Sequence, residues 1–291
     1  MGVGDWFNSF CSNVLMSDDT LSKITTRYHQ ITKRINLDYY DSTSETDHSL
    51  YVGSFGRGTE IFASDIDILV QLPYDTYVKF NNYSSNGQSA LLQEVKNVLE
   101  KSYSVTNLKG DGQIIRLPFA DGINFEVLPA FINKDRSYTF PNSNNGGSWK
   151  ITDPKAEIGA FTTLNDKCNH NLKCLCRMVR AWKEKNSVPI SGILIDIFAF
   201  NFISTWEHQD KSYLYYDFLS KDFFDYLSKR DKTQNSWKAM GSDRYIYRTG
   251  SFEAKAAAAY SLACEAISKE SDYPTTAKSR WREIYGSRFP A

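Results

Sequence analysis

The chain has 291 residues, of which 41% are hydrophobic and 23% charged; at roughly 100–200 residues per domain that leaves room for two domains with a real core and excludes a disordered or low-complexity chain. Its 34 basic and 34 acidic side chains cancel, which argues against a globally basic nucleic-acid binder though not against a local basic patch. Five cysteines, an odd number in a chain this long, make no disulfide framework and fit a reducing compartment.

Residues 1–13 carry neither the basic nor the long apolar stretch of an export signal. The first clear element is an amphipathic helix over 17–37, with Leu21, Ile24, Tyr28, Ile31 and Ile35 on one stripe and Ser17 or Asp18 as its cap. A Gly53–Ser54 turn then precedes a strand in which Asp65 and Asp67 alternate with Ile66 and Ile68, so period 2 places both acids on one face. The Tyr-, Asn- and Ser-rich segment 74–87 reads as a loop, and 90–101 as a second amphipathic helix. Strands follow at 113–117 and 123–128; the second sets Ile123, Phe125 and Val127 on one face and Asn124, Glu126 and Leu128 on the other. Residues 141–154, rich in Pro, Asn and Gly, mark a domain boundary or crossover. Beyond them the pattern is helical over 165–185, 190–206, 217–229 and 251–269, with Ser251 as an N-cap. The most apolar run, 192–203, contains Asp196 and is too short to span a bilayer. A soluble, cytoplasmic protein is expected, with one domain over 1–155 and a helical one over 156–291.

Three features converge on one chemistry. Two carboxylates two residues apart on a strand repel each other unless cations sit between them, and hard divalent ions take carboxylate oxygens. Glu126, on a second strand, can complete a two-metal site of Asp65, Asp67 and Glu126, of the kind that activates a hydroxyl and stabilises departing pyrophosphate. The Gly53–Ser54 turn lets backbone N–H groups and a hydroxyl approach phosphate oxygens. Further on, Lys173, Arg177 and Arg180 share a helix face opposite Leu172, Leu175, Val179 and Trp182. That stripe is either a solvated basic face or a grip on triphosphate oxygens.

The run G-S-F-G-R-G-T…S-D-I-D-I-L-V resembles the signature of the DNA polymerase beta-like nucleotidyltransferases. N-F-E-V-L-P-A-F at 124–131 is similar to the third-acid strand of oligoadenylate synthetase and of the cyclic GMP-AMP synthase-like enzymes. W-R-E-I-Y-G-S-R-F-P at 281–290 resembles the C-terminal signature of bacterial members. The match, over roughly 20–290, points to the bacterial CD-NTases of anti-phage CBASS systems, of SMODS or oligoadenylate synthetase-like type. The resemblance implies an α+β fold: a mixed-sheet palm with helices, a helical second lobe closing over the nucleotide, and a long N-terminal helix bracing both. It implies synthesis of a cyclic di- or trinucleotide from NTPs, ATP among them. Two Mg²⁺ ions, replaceable by Mn²⁺, would be held by Asp65, Asp67 and Glu126, and Glu126 would help deprotonate the attacking ribose hydroxyl. Gly53 and Ser54 would touch the donor triphosphate. Arg180 stands where oligoadenylate synthetases carry a phosphate-binding Lys; Arg177 matches a nearby basic position, and Ser191 resembles a triphosphate-contacting Ser. Neither obligate DNA nor a membrane is implied, and conjugating or HORMA-type CBASS accessory proteins are the partners it suggests. The third acid is Glu where many relatives have Asp, and Gly192 stands where an animal relative has a base-stacking Tyr.

Other readings stay open beside this one. The same acids would serve a linear oligonucleotide synthase, an enzyme that adenylylates a drug or protein, or a nucleotide-binding module without turnover. Cys168, His170, Cys174 and Cys176 cluster as a zinc module would. One regular helix cannot converge four ligands tetrahedrally, so structural thiols are expected there. The tail from Gly286 onward is expected to be flexible, and its C-terminus is a candidate for ubiquitin-like conjugation.

Overall fold

The computed structural model describes residues 2–61, 65–103 and 108–291, and Ser64 of the signature lies outside them. In chain order the elements are α1 (Val3–Asn13), α2 (Asp18–Tyr39), β1 (Ser49–Tyr51), α3 (Gly53–Arg57), β2 (Asp65–Gln71), α4 (Tyr74–Asn81), α5 (Gly87–Glu100), β3 (Lys109–Asp111), β4 (Ile114–Pro118), β5 (Asn124–Ile132), β6 (Tyr138–Asn142) and β7 (Ser148–Thr152). They continue with α6 (Pro154–Lys167), α7 (Asn171–Lys185), α8 (Gly192–Ile203), α9 (Tyr216–Ser228), β8 (Ser236–Lys238), β9 (Tyr245–Tyr247), α10 (Glu253–Lys269) and α11 (Pro274–Tyr285). The chain divides into a sheet unit, Met16–Gly56 with Phe62–Lys155, and a helical unit, Met1–Leu15 with Arg57–Ile61 and Ala156–Ala291. The expected contiguous division at 155/156 therefore needs two amendments: the first fifteen residues and the segment Arg57–Ile61 belong with the helical unit.

The sheet unit is a mixed seven-stranded sheet with the order β1-β2-β5-β4-β3, extended by β6 on β5 and β7 on β6. Only β2 and β5 run parallel among the paired strands. One face carries Ile66, Ile68, Val70, Ile115, Leu117, Phe125 and Val127, buried beneath α2 and α5. The stripe read from the sequence supplies that cover: Ile24, Tyr28, Ile31 and Ile35 are buried, while Leu21 at its start is exposed. Ser17 caps α2, accepting the Thr20 N–H at 3.3 Å. The other face holds a smaller core of Val52, Leu69, Ala130 and Tyr138. Its apolar patch stops short of the end of the sheet where Asp65 and Asp67 lie.

Three features of this unit and its border depart from expectation. The 74–87 segment contains α4, whose Phe80 is buried. The Pro- and Asn-rich crossover is instead largely a β6–β7 hairpin, and the unit ends only after it, at Lys155. In the helical unit, α6 and α7 are two helices separated by Asn169 and His170, both with positive φ, where one helix was expected.

The helical unit is built on α7, whose Leu172, Leu175, Val179 and Trp182 are buried as their spacing required. The unexpected α1 closes this core. Phe7 and Phe10 meet Trp281, Tyr285 and Phe289 at ring-centroid distances of 4.6–6.3 Å, in mostly edge-on and tilted pairs. The tail is accordingly held. Phe289 is fully buried, Arg282 donates to its carbonyl at 2.9 Å, and Lys278 donates to the Ala291 carbonyl at 2.7 Å. A flexible tail from Gly286 is thus corrected, because an aromatic anchor lies within it. Ser251 does not cap α10; the Glu253 carboxylate accepts the Phe252 N–H at 3.0 Å instead. Among the described residues no helix is long and apolar enough to cross a membrane.

Candidate active site

The acids are placed by strand register. Alternation along β2 turns Asp65 and Asp67 away from the core that buries Ile66 and Ile68. Because β5 runs parallel to β2, Asp65 pairs with Asn124 and Asp67 with Glu126. Neighbouring strands lie about 4.8 Å apart, so Glu126 stands directly beside Asp67 on the same face. On the far side of β5, β4 sets Arg116 opposite Glu126. The resulting row, Asp67–Glu126–Arg116, crosses three strands, with Asp65 and Asn124 one step along.

Side-chain contacts follow this grid. Arg116 Nη2 lies 2.8 Å from Glu126 Oε1, and Asn124 Nδ2 donates to Asp65 Oδ1 at 3.4 Å. Neither Arg116 nor Asn124 was singled out from the sequence. Alternation had placed Asn124 on the face of Glu126, and Arg116 is the exposed polar member of the neighbouring alternating strand. What sequence lacks is the strand order that brings Arg116 next to Glu126.

Gly53 has a steric reason to be glycine. Its φ is +61°, and a Cβ there would fall 1.9 Å from Asp67 Oδ2. The Val52 N–H donates to the Asp67 carbonyl at 2.9 Å, so α3 begins directly against β2 at this acid. Ser54 follows, half-buried.

Burial pushes the Glu126 carboxyl above its usual range; the Arg116 guanidinium pulls it back, and the Asp65 charge adds to the rise. Three hard oxygen donors on two adjacent strands match what Mg²⁺ or Mn²⁺ takes. The side chains do not yet converge: among the described residues no group of three or more His, Cys, Asp or Glu is arranged around a common point. Glu126 is engaged by Arg116 instead. Donor chemistry and backbone register therefore fit a divalent cation, with a turn of the Glu126 side chain still to be made.

The residues expected on the helical unit fare differently. Arg180 is buried and clamped: its Nη1 and Nη2 lie 2.6 and 2.9 Å from the two carboxylate oxygens of Asp196, and Nη2 also donates to the Gly192 carbonyl at 3.1 Å. Arg57 Nε and Thr59 Oγ1 donate to the same fully buried Asp196 at 2.9 and 3.2 Å. The Arg180 guanidinium, expected as a phosphate grip, is thus engaged by Asp196 and the Gly192 carbonyl inside the core of the helical unit. Burial raises the Asp196 carboxyl, but Arg180 and Arg57 outweigh it and hold it below the usual range. Arg177 is half-buried, its Nε donating to the Glu60 carbonyl at 3.2 Å and its Nη2 lying 3.7 Å from Glu60 Oε1. Ser191 is the N-cap of α8, accepting the Leu194 N–H at 3.4 Å.

The four zinc-like side chains turn to separate partners. Cys168 Sγ is 3.6 Å from Gln209 Oε1, Cys174 lies with Cys11 and Tyr216, Cys176 lies beside Asp196 and Arg180, and His170 Nδ1 is 3.1 Å from Asn165 Nδ2.

The mixed sheet that sets an acidic pair on one strand, a third acid on its parallel neighbour and a Gly–Ser turn against them is that of a polymerase beta-like fold. Solved structures share it across nearly the whole chain. CdnC of E. coli MS115-1, determined with ATP, superposes with a TM-score of 0.67 at 14% identity, covering 94% of this chain and 93% of that one. The Vibrio cholerae cyclic AMP-GMP synthase DncV, determined with a linear intermediate, gives 0.62 at 16% identity, covering 99% and 87%. CdnG of Bradyrhizobium diazoefficiens, with GTP, gives 0.66 at 12%, covering 99% and 96%. The chain belongs to the Second Messenger Oligonucleotide or Dinucleotide Synthetase family, whose model matches residues 1–165. A probable cyclic nucleotide synthase of Bacillus cereus (strain VD146) is 31% identical over 75 residues, a stretch that spans 25% of this chain and 23% of that protein's length.

Proposed function

We propose that the protein is a cation-dependent nucleotidyltransferase that condenses nucleoside triphosphates, ATP among them, into a cyclic di- or trinucleotide with release of pyrophosphate, in bacterial anti-phage signalling. The observation that carries this reading is the register pair Asp67–Glu126, with Asp65 one step away, in a chain of the second-messenger synthetase family. Asp65, Asp67 and Glu126 would hold the divalent cations. When bound, these ions supply Lewis acidity at the reacting phosphate and neutralise charge on the leaving pyrophosphate. The chain's own residues do the rest. The Gly53–Ser54 turn brings backbone N–H groups and a hydroxyl to the donor phosphates, at the distance that a missing Cβ allows. Glu126, beside Asp67 in the strand register, is placed to receive the proton of the attacking ribose hydroxyl. That oxygen then bonds to the α-phosphorus as the bond to the bridging oxygen breaks. Arg177 and Ser191 are the proposed triphosphate contacts of the helical unit.

A reducing cytoplasm supplies the NTPs and suits five free thiols. CdnC of E. coli MS115-1 has been determined in complex with HORMA-deltaN, and a HORMA-type accessory is the protein partner proposed here. The test is incubation of the purified protein with mixed NTPs and Mn²⁺ or Mg²⁺. The expected result is pyrophosphate and a phosphatase-resistant product whose mass gives its ring size and bases. A phosphatase-sensitive linear product, or nucleotide transferred to an added acceptor, would replace cyclisation with another transfer reaction. No pyrophosphate with either cation, alone or with phage-infected lysate, would remove the enzymatic reading.

A further inference from the structure

Arg116 engages one of the three acids directly. It lies between two carboxylates on different strands: its Nη2 is 2.8 Å from Glu126 Oε1, and its Nε is 3.6 Å from Asp111 Oδ2 on β3. The two acids differ in surroundings. The Glu126 side chain is 18% exposed and that of Asp111 is 63% exposed, while Arg116 itself is 53% exposed. A guanidinium so open can pivot between them with little loss of packing. Held by Arg116, Glu126 has its charge neutralised and its carboxylate drawn along the row toward β4, away from Asp67 on the opposite side of β5.

We infer that Arg116 is a positioning residue that withholds the third carboxylate. It occupies Glu126 when no cation is present and moves to Asp111 when a divalent ion takes Glu126 over. The inference rests on the proposed cation site and adds to it a built-in competitor and the acid that relieves the competition. Cation binding at Asp65, Asp67 and Glu126 is then weaker than the three carboxylates alone would give, by the free energy of the Arg116–Glu126 pair less that of Arg116–Asp111. For half-exposed pairs that difference amounts to about two- to fivefold in affinity.

The experiment is Mn²⁺ titration of the nucleotide-free protein, followed by the electron paramagnetic resonance signal of unbound Mn²⁺, a readout independent of turnover. Arg116→Gln is expected to bind Mn²⁺ about two- to fivefold more tightly than the native chain, and Asp111→Asn more weakly by a similar factor. In the double variant the Asp111→Asn effect should shrink to the small direct influence of the Asp111 charge on Glu126, because the larger part acts through Arg116. A merely structural pair would change the melting temperature and leave all three affinities equal, which would overturn the proposal. Asp65→Asn with Asp67→Asn separates the two levels. If that pair abolishes Mn²⁺ binding while the Arg116 variant is unchanged, the cation site stands and the withholding role falls. If it leaves Mn²⁺ binding intact, or if the native chain binds none, both fall together.

Discussion

Two groups of charge, one in each unit, are settled in opposite ways. In the helical unit Asp196 is wholly buried, yet it accepts hydrogen bonds from Arg57, Thr59 and both terminal nitrogens of Arg180. In the sheet unit Asp65, Asp67 and Glu126 crowd onto one face, where Glu126 leans on a half-exposed Arg116 and its proton affinity stays raised. The first group is a closed account of donors and acceptors, as buried charge must be if it serves only the fold. The second sets three carboxylates close together on adjacent strands, the donor chemistry that hard divalent cations take up. The contrast bears on Arg180, which resembles a phosphate ligand by sequence position while its guanidinium already serves Asp196.

The comparison can be broken most directly at the open site. Replacing Asp65 and Asp67 by Ala should lower pyrophosphate release by about a thousandfold or more, several kcal/mol of lost stabilisation. The far-ultraviolet circular dichroism spectrum should not change. At the closed site, Asp196→Ala should act the other way round and show up as lost stability. Two buried guanidinium groups lose their carboxylate, and the urea midpoint should fall by the equivalent of about 3–5 kcal/mol. Glu157, 3.6 Å from Arg57, sets the lower end of that range.

Gly53→Ala sharpens the contrast, because it touches the open site through backbone strain. A side chain at φ +61° costs about 1–3 kcal/mol of stability and its Cβ displaces the Asp67 carboxylate, so a tenfold or larger fall in kcat is expected in a pyrophosphate-release assay, together with a stability loss of that size. The smallest effect concerns Glu270, a half-buried acid that accepts a hydrogen bond from Trp281 Nε1 at 3.3 Å and has no cation beside it among the described ion pairs. Burial, helped by the Asp217 charge, raises its carboxyl from 4.5 to about 7. The fold therefore favours its protonated form. The stability it contributes is complete below the unfolded value near 4.5 and is lost as pH rises through about 7. Glu270→Gln should flatten the fall of the melting temperature between pH 5 and pH 8 by roughly 2–4 °C.

Much of this was legible in the sequence because it is written in periodicity. Period 2 set Asp65 with Asp67 and put Glu126 on a polar face, and the spacing of Leu172, Leu175, Val179 and Trp182 gave the inner side of α7. What escaped depends on pairs distant in the chain. The Arg116–Glu126 contact needs strand order, and the Arg180–Asp196 contact needs two helices packed together. The helix α1 escaped because its cues, Trp6, Phe7 and Phe10, find their partners only near residue 285. The β6–β7 hairpin was masked by Asn145, Gly146 and Gly147, a positive-φ turn that reads as a linker.

The central claim is that three carboxylates on two parallel strands gather divalent ions for nucleotide transfer. Anomalous diffraction from crystals grown with Mn²⁺ and a non-hydrolysable nucleoside triphosphate tests it most directly. The account predicts Mn²⁺ peaks about 2.0–2.3 Å from oxygens of Asp65, Asp67 and Glu126, with Arg116 released from Glu126. Crystals with nucleotide bound but no Mn²⁺ on these side chains, and with Glu126 still on Arg116, would contradict it.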